Sequence, residues 1–223
     1  MSFSAEVKEE LEKIMPQARH CRLAELSAIV EFGCHIEETN GEIRITIHSE
    51  NDAVARKYFT LWKKTFNIGT DVAKALQALK FTGDNAGAGK GADPVLIKSS
   101  CCKRAYLRGA FLCVGSMSNP EKGYHLEFVC ETDRQALQIQ EAIHSFDIEA
   151  KVVRRKKYDV VYLKEGAGIV DLLNVMGAHV SLMNLENLRI EKEMRNSINR
   201  QVNCETANIT KTVNAASRQL EDI

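Results

Sequence analysis

One pattern runs twice through this chain, and it limits the available folds more than any other feature. The segment Cys21 to Gly33, CRLAELSAIVEFG, carries Leu23, Leu26, Ile29 and Val30 on one helical stripe. His35 to Glu38 then reads as a short strand, Asn40-Gly41 as a hairpin turn, and Ile43, Ile45 and Ile47 alternate with Arg44, Thr46 and His48 as a half-buried strand. Ser49-x-x-Asp52 has the form of a capping box. It opens a helix with Val54, Tyr58, Leu61, Trp62 and Phe66 inward, ending before Gly69.

The same order returns from Cys101. The stretch CCKRAYLRGAFLCVGSMS starts basic and predicts a helix over Tyr106 to Val114, broken by Gly115 into a short strand ending at Ser118. Lys122-Gly123 marks a turn, and Leu126 and Phe128 alternate with His125 and Glu127. Thr132-x-x-Gln135 is a second capping box, opening a helix with Ala136, Ile139, Ile143 and Phe146 inward. Leu26 corresponds to Leu107, Gly41 to Gly123 and Phe66 to Phe146, a shift of about 81 residues.

The copies are unequal. In the second, Ile148 to Lys164 reads as two strands joined by a tight basic turn, followed by a helix over Ile169 to Val175 closed by Gly177. In the first, Asn67 to Val72 matches only the beginning of such a hairpin before a helix over Ala73 to Phe81 closed by Gly83. About a dozen residues, one hairpin at usual strand lengths, are missing. The division expected is an N-terminal helix (1–20, with Ser4 as N-cap), a shortened first half (21–83), a glycine-rich linker (84–100), a second half (101–177) and a helical tail (178–223). The tail, marked by Leu182, Leu185, Leu188, Met194 and Ile198, is rich in asparagine, which lowers helix propensity.

Thirty basic residues balance thirty acidic ones, so any nucleic-acid signal has to be local. No apolar run of about 18 residues exists, which argues against a membrane span, and the start MSFSAEVKEELEKI lacks the core of a signal peptide. The seven cysteines include no CxxC spacing, and the adjacent Cys101-Cys102 pair is poor geometry for two ligands on one zinc ion, so reduced cytosolic thiols are expected. No two of the six histidines are four residues apart, and GAGKG at 87–91 lacks the ending of a phosphate loop. Neither a metal nor a cofactor is expected.

The duplicated unit, with small residues in each first helix, resembles the LAGLIDADG homing-endonuclease fold. More closely, SFSAEVKEEL, CRLAELSAIVEFG, CCKRAYLRGAFLCVGS and NRQVNCETANITKTVNAASRQLEDI resemble the bacterial WhiA family, over nearly the whole chain. The resemblance implies an α+β, pseudo-two-fold LAGLIDADG-like duplication of antiparallel hairpins and packed signature helices, its first half short of one hairpin. It also implies a C-terminal helix-turn-helix, which is expected to be absent here because the chain stops where that domain should begin. In the endonucleases each signature helix ends in an acid that holds divalent metal for phosphodiester cleavage. Laid on that signature, the acid positions are Gly33 and Val114, and neither supplies the carboxylate oxygen a hard cation needs. Glu31 sits two residues early. No catalytic residue and no enzyme activity are therefore expected, and the signature helices serve as a scaffold whose Ala28, Gly109 and Ala110 allow close approach.

The best local basic signal is Lys151, Arg154, Arg155, Lys156 and Lys157, five cations within seven residues. On a hairpin they would form a phosphate-binding finger, and in the LAGLIDADG fold such hairpins enter the major groove. A solvated, edge-protecting turn would look the same in sequence. Lys103, Arg104 and Arg108 would add charge. The resemblance implies a non-catalytic DNA-binding transcriptional regulator of bacterial sporulation or cell division, cytoplasmic and nucleoid-associated, that binds DNA weakly through this part alone. The alternative is a protein-interaction module that docks a regulatory partner, with DNA read elsewhere.

Overall fold

Two helices, α2 (Arg19–Gly33) and α5 (Ser100–Val114), pack against each other along their lengths at the centre of the main unit. A computed structural model describes residues 2–39, 42–49, 51–66, 70–81 and 91–221. The sequence explains why the pair closes so tightly. A Cβ on Gly109 would lie 2.6 Å from the backbone oxygen of Glu25 and 3.0 Å from the Ala28 methyl, so only hydrogen fits there. Leu26, Ile29, Leu107, Ala110, Phe111 and Leu112 are buried around this crossing.

The elements follow the duplicated order. After α1 (Phe3–Lys13) and α2 come the antiparallel β1 (Cys34–Thr39) and β2 (Glu42–Ile47), then α3 (Asp52–Thr65) and α4 (Val72–Ala78). After α5 come β3 (Gly115–Met117), β4 (Leu126–Cys130), α6 (Asp133–His144), β5 (Lys151–Arg155), β6 (Tyr158–Leu163) and α7 (Gly166–Met176). The second half forms one antiparallel sheet in the order β3-β4-β6-β5. Among the described residues the first half has the β1-β2 pair as its sheet, and part of the stretch expected to lack a hairpin lies outside the described residues. The α+β, LAGLIDADG-like duplication is the fold.

Local chemistry accounts for most element boundaries. Thr132 and Gln135 form the reciprocal capping box of α6. At α3 the cap is Asn51, whose side chain accepts from Ala53 N, whereas Ser49 Oγ bonds Asn51 in the turn before it. Likewise Ser2, not Ser4, caps α1; the Ser4 hydroxyl accepts from Met117 N on β3 instead. α5 begins earlier than its apolar stripe, at Ser100. Gly177 closes α7 in the left-handed region at φ 93°, as its position after the helix requires. The predicted turn at Asn40-Gly41 and the glycines at 69 and 83 lie outside the described residues.

The chain divides into two units, Met1–Leu182 and Met183–Ile223. α8 runs over His179–Glu221. Within the first unit the carboxylate of Glu10 accepts from Val180 N at 2.7 Å and Ser181 N at 2.9 Å, capping that helix start with a charge its dipole favours. In the second unit Glu193 to Arg218 are exposed throughout, including Met194, Ile198, Val202, Ile209 and Val213.

Candidate nucleic-acid interface

The duplicated helices end beside one another, and that end is where a nuclease of this fold would place its acids. Gly33 and Val114 line a cleft of about 780 Å³ there, with Glu31, Glu131, Gln135 and Tyr158 among the other walls. The residues present do not fit a divalent ion. A Cβ at position 33 would sit 2.9 Å from Cys113 Sγ, so a carboxylate side chain could not be added without moving that thiol. Glu31, the nearest buried acid, is tied elsewhere: it accepts from Gln135 Nε2 at 2.7 Å and from Gly91 N at 2.9 Å. Burial pushes Cys34 up to about 12, and Cys113 still higher, so both thiols at the cleft are neutral and poor nucleophiles.

The basic segment forms a two-residue hairpin: Arg155 pairs with Tyr158, and Lys156 occupies the turn at φ 55°. β5 is the sheet edge and all five of its residues are exposed. Its charges are partly neutralised within the fold. Arg154 pairs with Asp159, Arg155 Nη1 lies 2.8 Å from Glu127 Oε2, and Lys151 Nζ lies 3.9 Å from Glu149. Partial burial of Glu127 works to raise its pKa, but the His125 hydrogen bond and the Arg155 charge hold it below the usual carboxylate range. Lys157 lies over the Tyr158 ring at 5.0 Å, which leaves the Lys156 ammonium without an ion-pair partner among the described residues.

The three basic residues of α5 separate into different environments. Arg104 is exposed, with its guanidinium 4.9 Å from the centre of the Phe146 ring, and Lys103 is half-buried. Arg108, expected to add surface charge, is instead buried. Its Nε and Nη2 reach the Glu25 carboxylate at 2.9 and 3.0 Å, and Nη1 donates to Met176 O at 3.0 Å. Lys57 Nζ completes the cluster 3.0 Å from Glu25 Oε1, while donating to the carbonyls of Leu11, Glu12 and Ile14. Burial pulls the Lys57 pKa down, with the Glu25 charge opposing it. Arg108 is thus a core residue, because its helix face is the one that meets α2.

The thiols are also placed differently from the expectation drawn from their spacing. His20, Cys21, Cys101 and Cys102 converge where α2 and α5 begin, with all their ligand atoms within 4.8 Å of one another. Adjacency of Cys101 and Cys102 does not prevent both from facing the same point.

Comparison with known proteins places this geometry. Residues 19–78 match the WhiA N-terminal LAGLIDADG-like domain, 103–195 the WhiA LAGLIDADG-like domain, and 198–223 the WhiA C-terminal HTH domain. A probable cell division protein WhiA from Lachnoclostridium phytofermentans is 53% identical, over 100% of this chain and 80% of that protein. The chain belongs to the WhiA family. A probable cell division protein WhiA from Thermoanaerobacter pseudethanolicus is 45% identical over 100% of this chain and 79% of its own length. Among solved structures, full-length DUF199/WhiA from Thermatoga maritima superposes with a TM-score of 0.75 at 21% identity, covering 98% of this chain and 77% of that one. The WhiA match over 198–223 corrects the expectation that the helix-turn-helix domain is absent: the asparagine-rich motif belongs to it. Through Glu221 the residues of that motif are helical.

Proposed function

We propose that this protein is a non-catalytic DNA-binding regulator acting in cell division or sporulation, cytoplasmic and associated with the nucleoid. The observation that carries the reading is the helix-turn-helix family match over 198–223. Gly33 and Val114 at the two acid positions support the non-catalytic part, because metal-assisted cleavage needs carboxylate oxygens beside the scissile phosphate. The hairpin tip contributes phosphate contacts through Lys156 and Lys157, with Arg154, Arg155 and Lys151 held in internal ion pairs that DNA would have to share. Arg104 and Lys103 are secondary contacts.

Fluorescence anisotropy with duplex DNA over a salt series tests this. Binding should weaken steeply with salt, and replacing both Lys156 and Lys157 by alanine should reduce the slope of log K against log salt by about 1.8. Salt-insensitive binding, or nicking of supercoiled plasmid in Mg²⁺, would overturn the reading. A second reading, docking of a regulatory protein, is favoured by one feature. The edge strand β5 leaves Val152 and Val153 more than a third exposed, which suits strand addition by a partner. A slope unchanged by the lysine substitutions would move the hairpin to that role.

A further inference from the structure

The duplication that built this fold also built a four-residue cluster. Cys21 in the first copy falls at the position of Cys102 in the second, and His20 at that of Cys101, the same shift that relates Leu26 to Leu107. Each pair lies in the first turn of its own signature helix, so the packing of α2 on α5 brings the two pairs together. His20 Nδ1 lies 3.1 Å from Cys102 Sγ and 3.4 Å from Cys21 Sγ, and all four ligand atoms fall within 4.8 Å of one another. Cys21 and Cys102 are buried, whereas His20 and Cys101 face solvent, which gives an ion an entry path.

We propose that His20, Cys21, Cys101 and Cys102 form a structural zinc site on the pseudo-two-fold axis between the two signature helices. Three sulfurs and one imidazole are the donor set of a closed Cys₃His site, and soft thiolates select zinc over magnesium or calcium. A tetrahedron with Zn–S bonds of about 2.3 Å has edges of about 3.8 Å, close to the separations observed. Binding releases the three thiol protons to solvent and leaves a zinc-thiolate group of net charge −1. That charge sits where both helices present the positive ends of their dipoles. The site lies at the opposite end of the helices from Gly33 and Val114, about 18–20 Å away at 1.5 Å per residue, so it is unrelated to nuclease metal binding. Its function is to staple the two halves together.

The whole chain, purified under reducing, anaerobic conditions, should carry about one zinc by inductively coupled plasma mass spectrometry. Cobalt exchange should give the visible bands of a tetrahedral thiolate complex. Cys101→Ser should weaken zinc binding at least about tenfold, while Cys204→Ser, at an exposed thiol far along α8, should leave it unchanged. Because Cys101 is exposed, its serine variant should retain the helical circular dichroism of the parent, separating loss of metal from loss of fold. Absence of zinc after incubation with a stoichiometric amount, iron or copper in its place, a disulfide among the three cysteines in the anaerobic protein, or zinc retained unchanged by Cys101→Ser would each overturn the assignment.

Discussion

Replacing Glu25 by glutamine removes the carboxylate that Lys57 and Arg108 share in a buried cluster. All three are buried, and two cations face one carboxylate. The surplus positive charge is met by carbonyls at helix C-termini: Leu11 and Glu12 at the end of α1, Ile14 just beyond it, and Met176 at the end of α7. Glu25→Gln keeps the side-chain volume but takes from two desolvated cations the carboxylate that both pair with, leaving Lys57 only the weaker field of Glu12. Breaking a buried pair in this way destabilises by about 3–5 kcal/mol. With a urea m-value of about 2–3 kcal/mol/M, the unfolding midpoint should fall by about 1–2.5 M at unchanged m. Lys57→Met provides the contrast. It removes the surplus charge and keeps the bidentate Arg108–Glu25 pair, losing hydrogen bonds to backbone carbonyls at a cost of about 1–3 kcal/mol. Urea unfolding followed by circular dichroism measures both. If Lys57→Met is as destabilising as Glu25→Gln, or Glu25→Gln shifts the midpoint no more than a surface substitution, the charge-balance argument is wrong.

Three further outcomes follow from other sites. Gly109→Ala places a methyl 2.6 Å from the Glu25 carbonyl, so it should destabilise by about 1–3 kcal/mol in the same assay, despite alanine's better helix propensity. Burial favours the neutral forms of Cys34 and Cys113; the stability this contributes is complete below the ordinary thiol pKa of 9.0 and is lost as pH rises from there toward 12, which thermal melts across that range should show. Lys156→Gly should stabilise the hairpin by about 0.5–1 kcal/mol, by relieving a non-glycine residue at φ 55°, yet weaken DNA binding; a melting temperature lowered by the change would contradict the first part.

The duplication was legible because its marks are local. Helical stripes, the alternating strands at Ile43–Ile47 and Leu126–Phe128, and the Thr132–Gln135 box each span a few residues. The failures share a different origin. Ser49 and Ser4 both fit cap patterns, but the helices start from neighbouring Asn51 and Ser2, whose side chains accept from Ala53 N and Ala5 N. Arg108 reads as solvated because its partners, Glu25 and the carbonyl of Met176, are 83 and 68 residues away. The cysteine cluster was hidden for the same reason: no spacing rule within one segment reveals ligands divided between two helix starts. A comparison of the two copies position by position would have exposed it.

The central helix crossing also sets an order of events during synthesis. α2 is complete at Gly33, but the surface that covers it, from Cys102 to Leu112 on α5, is made about 80 residues later. At bacterial elongation rates of about 5–20 residues per second, that interval is about 4–16 s. Throughout it the buried acid Glu25 has no Arg108, and Leu26 and Ile29 have no facing helix. The first half therefore leaves the ribosome as an unfinished half-core, dependent on chaperones or its own transient collapse until the second copy arrives.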